Sequence, residues 1–484
     1  VDEIETIQNQ QTINHPISKL TKSPLSRLDW GLLIAILLVA FAARVIPQPR
    51  TVDDAFITFR YSRNIVNGNG FVYNPDSKVL GTTTPLYTLT MAGISVVFGE
   101  DYPQYALVVN AIADTLSVGL LFLIGYALTQ YSKAGLLVGA IWALAPFSVT
   151  FAIGGMETSV HDLWMIAAWA AYLDRRKGGW VGAFVALGLL TRPDALLWAA
   201  PLMVHQLWAA WRERDTGQGI FSWLPYRDYL AGLILGMPWT LFAAAYFGSP
   251  FPHTVGTKAV VYQVNSIQAF ARLLQHYATP FHQHELLGAA IGVGVGLFLF
   301  PTLSLIGLRE MTRRNSAALP ILIYPWLYFV VFSALNPLIF RWYLTPPLPA
   351  YYLAIVGGGL ALLSAFRPYL KGRQLDYAMS GVAVVAIIFI LSGWTLKPDH
   401  GPGTPAPKMA FHELELNYER MAKRLIEEQG IDRDTLIAAG DIGAVGFYTD
   451  ATILDTIGLV TKDLDRYYDT ELQQEIVAED ANYA

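Results

Sequence analysis

The chain consists of long apolar runs broken by short polar or basic stretches. Residues 31–46, 105–129 and 286–308 are the clearest runs. The full set of apolar segments covers 30–46, 85–98, 105–129, 134–153, 159–173, 180–190, 195–211, 229–247, 286–308, 317–335, 344–366 and 377–394. Several fall short of the roughly 20 residues that cross a bilayer. Those are read as tilted, broken, or continued into neighbouring polar residues.

Basic residues decide which segments span, because Lys and Arg collect on the cytoplasmic side. The clearest basic loops hold Arg175-Arg176-Lys177, then Arg212, Arg214 and Arg227, then Arg309, Arg313 and Arg314, then Arg367, Lys371 and Arg373. Lys19, Lys22 and Arg27 add an N-terminal group. Counting every segment as a span puts that group on the opposite side from the other loops. Removing 85–98, which is short and followed by Gly99-Glu100-Asp101, restores the alternation. The expectation is an all-α polytopic membrane protein of about eleven spans. It has a cytoplasmic tail over 1–29 and a membrane module over 30–396. An outer loop carries two helices along the membrane surface within 53–98, and a second outer loop covers 248–285. A Pro/Gly linker at 397–407 leads to an extracytoplasmic α/β unit over 408–484. In that unit 411–428 is predicted as an amphipathic helix, with short strands at 436–439 and 452–454. The unit reads as cut short at its end.

Composition agrees. Charged residues make up 15% of the chain, against about 25% in a soluble domain. The net charge of -5 is spread out and points to no nucleic-acid partner. Cysteine is absent, which rules out disulfides and thiolate metal sites. Residues 1–22 are polar and lack the apolar centre of a signal peptide, so the first apolar run is expected to act as an uncleaved anchor.

The first outer loop opens on Asp53-Asp54, where a helix should start and run to Asn67-Gly68. A carboxylate there serves as an N-cap or first-turn anion, or as a general base at the membrane surface. The two roles are compatible, because a cap fixes a carboxylate in place. Next come Gly68-Asn69-Gly70-Phe71-Val72-Tyr73-Asn74-Pro75 and Gly81-Thr82-Thr83-Thr84-Pro85-Leu86. Further on lie Gly154-Gly155-Met156-Glu157-Thr158, Thr191-Arg192-Pro193-Asp194, Arg341-Trp342-Tyr343-Leu344, Ala439-Gly440-Asp441-Ile442-Gly443-Ala444 and Asp455-Thr456-Ile457-Gly458-Leu459. In this order the motifs resemble the GT-C glycosyltransferases, above all the branch of polyprenyl-phosphate arabinofuranosyltransferases. Protein O-mannosyltransferases stand further off.

The resemblance implies a plasma-membrane enzyme with its site on the extracytoplasmic face. It implies inverting transfer of a sugar from a polyprenyl phosphate to a hydroxyl of a glycan, lipid or protein. An acidic residue of the first outer loop would be the base, with Asp53 first and Asp54 second. The chemistry is consistent, since a sugar hydroxyl must lose its proton as the bond forms, and a phosphate leaving group needs cations aimed at it. Arg341, Arg192 and Lys258 are the candidate cations on the outer side, each with snorkelling to the headgroups as the alternative. Glu157, Asp194 and His253 are candidates for acceptor or cation binding. Asp53 and Glu157, with Asp54 and Asp194, could also supply oxygens to Mg²⁺, Mn²⁺ or Ca²⁺. Other membrane subunits are compatible with the sequence. A catalytically silent subunit of the same fold and a transporter are the competing readings. The spans read as nearly free of ionisable residues, which disfavours transport.

Overall fold

The computed structural model describes residues 25–75, 77–175, 178–214, 219–254, 256–257, 267–365, 374–394 and 410–462. The tail before residue 25, the linker over 397–407 and the last residues of the C-terminal unit lie outside them, as does Lys258. In chain order the helices are α1 (Arg27–Val45), α2 (Asp53–Val66), α3 (Pro85–Phe98), α4 (Tyr102–Thr129), α5 (Ser132–Leu144), α6 (Pro146–Ile153), α7 (Thr158–Leu173), α8 (Trp180–Thr191), α9 (Leu196–Arg212) and α10 (Ile220–Trp223). They continue with α11 (Tyr226–Phe247), α12 (Gln268–Ala278), α13 (His284–Arg314), α14 (Leu319–Leu322), α15 (Tyr324–Leu335), α16 (Leu348–Ala365), α17 (Gln374–Ser392) and α18 (Ala410–Gln429). The chain then forms β1 (Leu436–Ala439), α19 (Gly443–Thr449) and β2 (Thr452–Asp455).

Among the described residues, six helical stretches are long and apolar enough to cross a membrane, or seven if α5 and α6 form one span bent by 46°. The bend falls at Ala145-Pro146, where the proline cannot continue the ladder of α5. Helices α7 and α9 are shorter, at 16 and 17 residues. Length and composition thus support a multi-pass membrane protein without fixing the expected eleven spans. Helices α2 and α3 have 14 residues each, about 21 Å of helix, too short to cross about 30 Å of hydrocarbon. The long helices α13 and α16 pack closely because Gly307 and Gly358 present no side chain where the other backbone passes.

The membrane helices are not free of charge. Arg44 of α1 and Asp114 of α4 are fully buried and paired at 2.7 Å. Arg44 also donates to the carbonyls of Ala40 at 2.9 Å and Ala143 at 2.8 Å, and to the hydroxyl of Ser148 at 2.7 Å. Ser159 donates to Asp114 at 3.0 Å. The pair is an exception to the expectation of spans nearly free of ionisable groups. The pair ties α1, α4, α6 and α7 together through a charge shared among them.

The C-terminal unit is a parallel β1–β2 pair, Leu436 opposite Thr452 and Ala439 opposite Asp455, joined through α19. It docks on α2 and the segment that follows it. Arg60, 1% exposed, donates to the carbonyls of Tyr73, Ala451 and Gly446, the Ala451 bond being 2.6 Å. The Asn74 side chain bonds both backbone groups of Ile453, at 2.8 and 3.1 Å, like a neighbouring strand.

Removing one member of a buried ion pair leaves an uncompensated charge and costs about 3–5 kcal/mol. Asp114→Ala should therefore lower the unfolding temperature sharply in detergent, while Arg44→Met with Asp114→Leu should recover much of the loss. A single mutant as stable as the parent would show that the pair is not structural.

Candidate active site

The turn ahead of α2 is laid against the turn ahead of α7. The N–H of Arg50 donates to Ile153 O at 2.8 Å, and that of Val52 to Gly154 O at 3.1 Å. Asn110 of α4 holds the same segment through the carbonyls of Ala152 and Met156 at 3.0 and 2.8 Å. Tyr87 of α3 donates to Gly155 O at 3.2 Å. These bonds bring the start of α2 beside Glu157.

A cavity of about 450 Å³ opens there. Asp54, Glu157, Arg192 and Asp194 all line it. Helices α7 and α8 run antiparallel, so their ends deliver Glu157 and Arg192 to one place although 35 residues separate them. Arg192, 4% exposed, grips Asp194 with two bonds of 2.9 and 3.0 Å and Glu157 with a third of 3.1 Å. Its guanidinium lies 5.3 Å from the ring centre of Tyr343. Three of its five N–H donors are thus engaged by carboxylates. Burial works against the Asp194 carboxylate, yet the doubly bonded guanidinium wins and holds it below the usual range. Burial raises Glu157, whose single bond to Arg192 offsets only part of the rise. Beside Asp54 runs a chain of hydroxyls, Thr58 to Thr84 at 3.2 Å and Thr84 to Thr82 at 3.0 Å. Phe332, Leu335, Leu338, Phe340 and Trp342 form an apolar wall.

The two acids of α2 part company. Asp53 is 9% exposed and does not line the cavity. Its carboxylate accepts the N–H of Gly443 at 3.0 Å and of Ala444 at 2.7 Å, capping α19 of the C-terminal unit. Any side chain at Gly443 would run into the Asp53 backbone. Burial pushes the Asp53 carboxyl up to about 7 against these two bonds, with Asp54 and Asp441 adding to the rise. Asp54, expected second in the pair, faces the cavity, and Asp53, expected first, faces the docked unit.

Two other expected residues also stand apart. Arg341 is exposed and absent from the cavity lining, while Trp342 and Tyr343 after it do line it. Its charge bears on Arg272 instead, whose guanidinium is lowered first by burial and then by Arg341. His253 is exposed, with its backbone N–H on Leu80 O at 2.9 Å, and the neighbouring Thr254 lines the cavity in its place. Lys258 lies outside the described residues. Of the expected metal oxygens, those of Asp54, Glu157 and Asp194 line the cavity, while Asp53 does not. Asp53 is bound to amides, Asp194 and Glu157 are bound to Arg192, and among the described residues no three His, Asp or Glu come close enough to hold an ion.

The fold has solved counterparts. The crystal structure of ArnT from Cupriavidus metallidurans bound to undecaprenyl phosphate superposes with a TM-score of 0.57 at 15% identity, over 89% of this chain and 86% of that one. The apo oligosaccharyltransferase of Archaeoglobus fulgidus gives 0.58 at 13% identity, over 93% and 68%. The chain has the GT-C fold. In sequence, a terminal β-(1→2)-arabinofuranosyltransferase of Mycobacterium tuberculosis is 26% identical over 226 residues, which are 43% of this chain. The match spans about a third of that relative's length, 34%. The GT-C fold and this likeness agree with the branch that the motifs resemble. Residues 409–484 match a family profile described as a domain of unknown function, DUF8728. The GT-C body and this C-terminal unit meet at Asp53.

The raised Glu157 carboxyl has a consequence for stability. Its folded pKa lies above 4.5, the ordinary value. The stability it contributes is present below that ordinary value and is lost as pH rises through the folded one. Glu157→Gln should therefore remove part of the decline in melting temperature as pH rises above 4.5. An unchanged pH profile would show that Glu157 ionises freely in the folded protein.

Proposed function

We propose that the chain is an inverting glycosyltransferase that takes a sugar from a polyprenyl-phosphate donor at the extracytoplasmic face of the plasma membrane. The observation that carries this reading is the convergence of Asp54 and Arg192 on one cavity with an apolar wall. A solved counterpart with undecaprenyl phosphate bound supports the donor class. The positive-inside rule applied to α7 and α8 supports this side of the membrane. One end of the pair holds Glu157 and Arg192, and the other holds the basic stretch around Arg175, which belongs inside.

Asp54 acts as general base. It takes the proton of the acceptor hydroxyl while that oxygen bonds to the anomeric carbon from the face opposite the phosphate. The bond between the anomeric carbon and the phosphate oxygen breaks, and the polyprenyl phosphate leaves with the electron pair. Arg192 supplies positive charge and its remaining donors near the leaving oxygen, fixed beforehand by Asp194 and Glu157. The prenyl chain runs along Phe332, Leu335 and Leu338 toward lipid.

Removing a general base costs about 10²–10⁴-fold in rate. Asp54→Asn should lower turnover by that factor with donor binding retained, measured with a short-chain prenyl-phosphate sugar. Turnover left intact by Asp54→Asn would rule out this base. A cysteine at Lys78 should react with an impermeant thiol reagent from outside intact cells, and one at Arg214 should not. The converse pattern would put the cavity on the wrong side for this reaction.

A further inference from the structure

The motif Asp455-Thr456-Ile457-Gly458-Leu459 has no part in the chemistry above, yet it is built with care. Asp455 is fully buried at the end of β2. Its carboxylate accepts the N–H of Ile457 at 2.8 Å and of Val460 at 2.9 Å, and its own N–H donates to the Thr461 hydroxyl at 2.9 Å. Gly458 has φ of 87°, which glycine adopts without a Cβ penalty. Together these bonds hold 455–460 as one tight turn.

The turn is pressed against the first outer loop. A Cβ on Gly81 would lie 2.5 Å from Val460 Cγ1 and 2.8 Å from Leu459 O. The hydroxyl of Thr257 donates to Gly458 O at 3.2 Å. Among the described residues of the C-terminal unit, Leu459 is the one that lines the cavity. It shares that lining with Ile57, Thr58, Thr82 and Thr83. An apolar patch beside a row of hydroxyls matches a sugar, whose ring offers a C–H face and hydroxyl edges. The more apolar wall at Phe332 and Leu338 suits the prenyl chain, which leaves the Leu459 side for the second substrate.

We propose that the 455–460 turn is the acceptor-side wall of the cavity, with Leu459 limiting the size of a carbohydrate acceptor and Asp53 positioning the turn by holding α19. The assignment of this side to the acceptor rests on the transfer reading above. Asp53 acts at a distance: it fixes Gly443 and Ala444, Asn74 and Arg60 fix Ile453 and Ala451, and β2 carries the turn.

The test uses the full chain in lipid nanodiscs with two probes, a methyl pentofuranoside and a trisaccharide of the same sugar. Binding is measured by calorimetry, and amide exchange is followed at Gly443 and Ala444. Leu459→Trp should weaken the trisaccharide about tenfold more than the monosaccharide, the scale of a change in pocket size, with both amides still protected. Leu459→Ala should shift the preference the other way. Asp53→Ala should speed exchange at both amides and weaken both probes alike. An unchanged preference in Leu459→Trp with protected amides overturns the wall, as does failure of the wild type to bind either probe. Slow exchange in Asp53→Ala overturns the positioning role. A shifted preference in Leu459→Trp, with no transfer by the wild type from farnesyl-phosphate sugars, would support the wall and sink the transfer reading instead.

Discussion

The carboxylate of Asp53 binds two backbone amides 390 and 391 residues away, and the joint between α2 and the C-terminal unit is arranged around that clamp. An N-cap of this kind stabilises a helix by about 0.5–2 kcal/mol. Here it also joins two pieces that lie far apart along the chain. Helix α2 gains a partner for its first residue. Helix α19 gains acceptors for amides that no turn of its own could satisfy. Arg60 and Asn74 then complete the joint by bonding the carbonyls and the strand edge behind α19. With Asp53 held on one side of the helix start, the next residue, Asp54, is directed to the other side and into the cavity.

Charge in the cavity is organised by one guanidinium. Arg192 is shared between two carboxylates, and the sharing is unequal. The bidentate guanidinium holds Asp194 below the usual carboxylate range, while burial raises Glu157, which has a single contact. A buried triad of this kind adds little net stability, because desolvation offsets most of the attraction. What it provides is a fixed direction for the remaining N–H donors. The same logic holds deeper in the membrane, where Arg44 is surrounded by carbonyls, a hydroxyl and Asp114.

Most helices were legible in the sequence because lipid demands continuous apolar runs, and such runs need no knowledge of the partner. The strands and α18 were legible from alternation and amphipathicity, with β2 one residue longer than expected. The break between α5 and α6 was signalled by Pro146, which the long run concealed. The division of labour between Asp53 and Asp54 was not legible, because the amides that claim Asp53 belong to the far end of the chain. Arg341 stood out by breaking the positive-inside pattern, but a helix-end arginine near Arg272 breaks it equally well without touching the cavity. Arg44 and Asp114 were passed over since each is a single charge in an apolar run. Only the packing of α1 on α4 shows that they neutralise each other. Thr254 and Leu459 carried no signal of their own type; their place is set by the loop contacts around Gly81.

The distance along the chain between Asp53 and Gly443 also sets a timetable. Synthesis proceeds at about 5–20 residues per second, so the 390 residues between them take roughly 20–80 s to appear. Throughout that interval Asp53, Arg60 and Asn74 exist without their partners in the C-terminal unit. The mouth of the cavity therefore takes shape last, after the membrane helices have been inserted. A ribosome stalled between residues 395 and 443 leaves behind a chain whose membrane helices are made and whose Asp53 lacks its two amide partners.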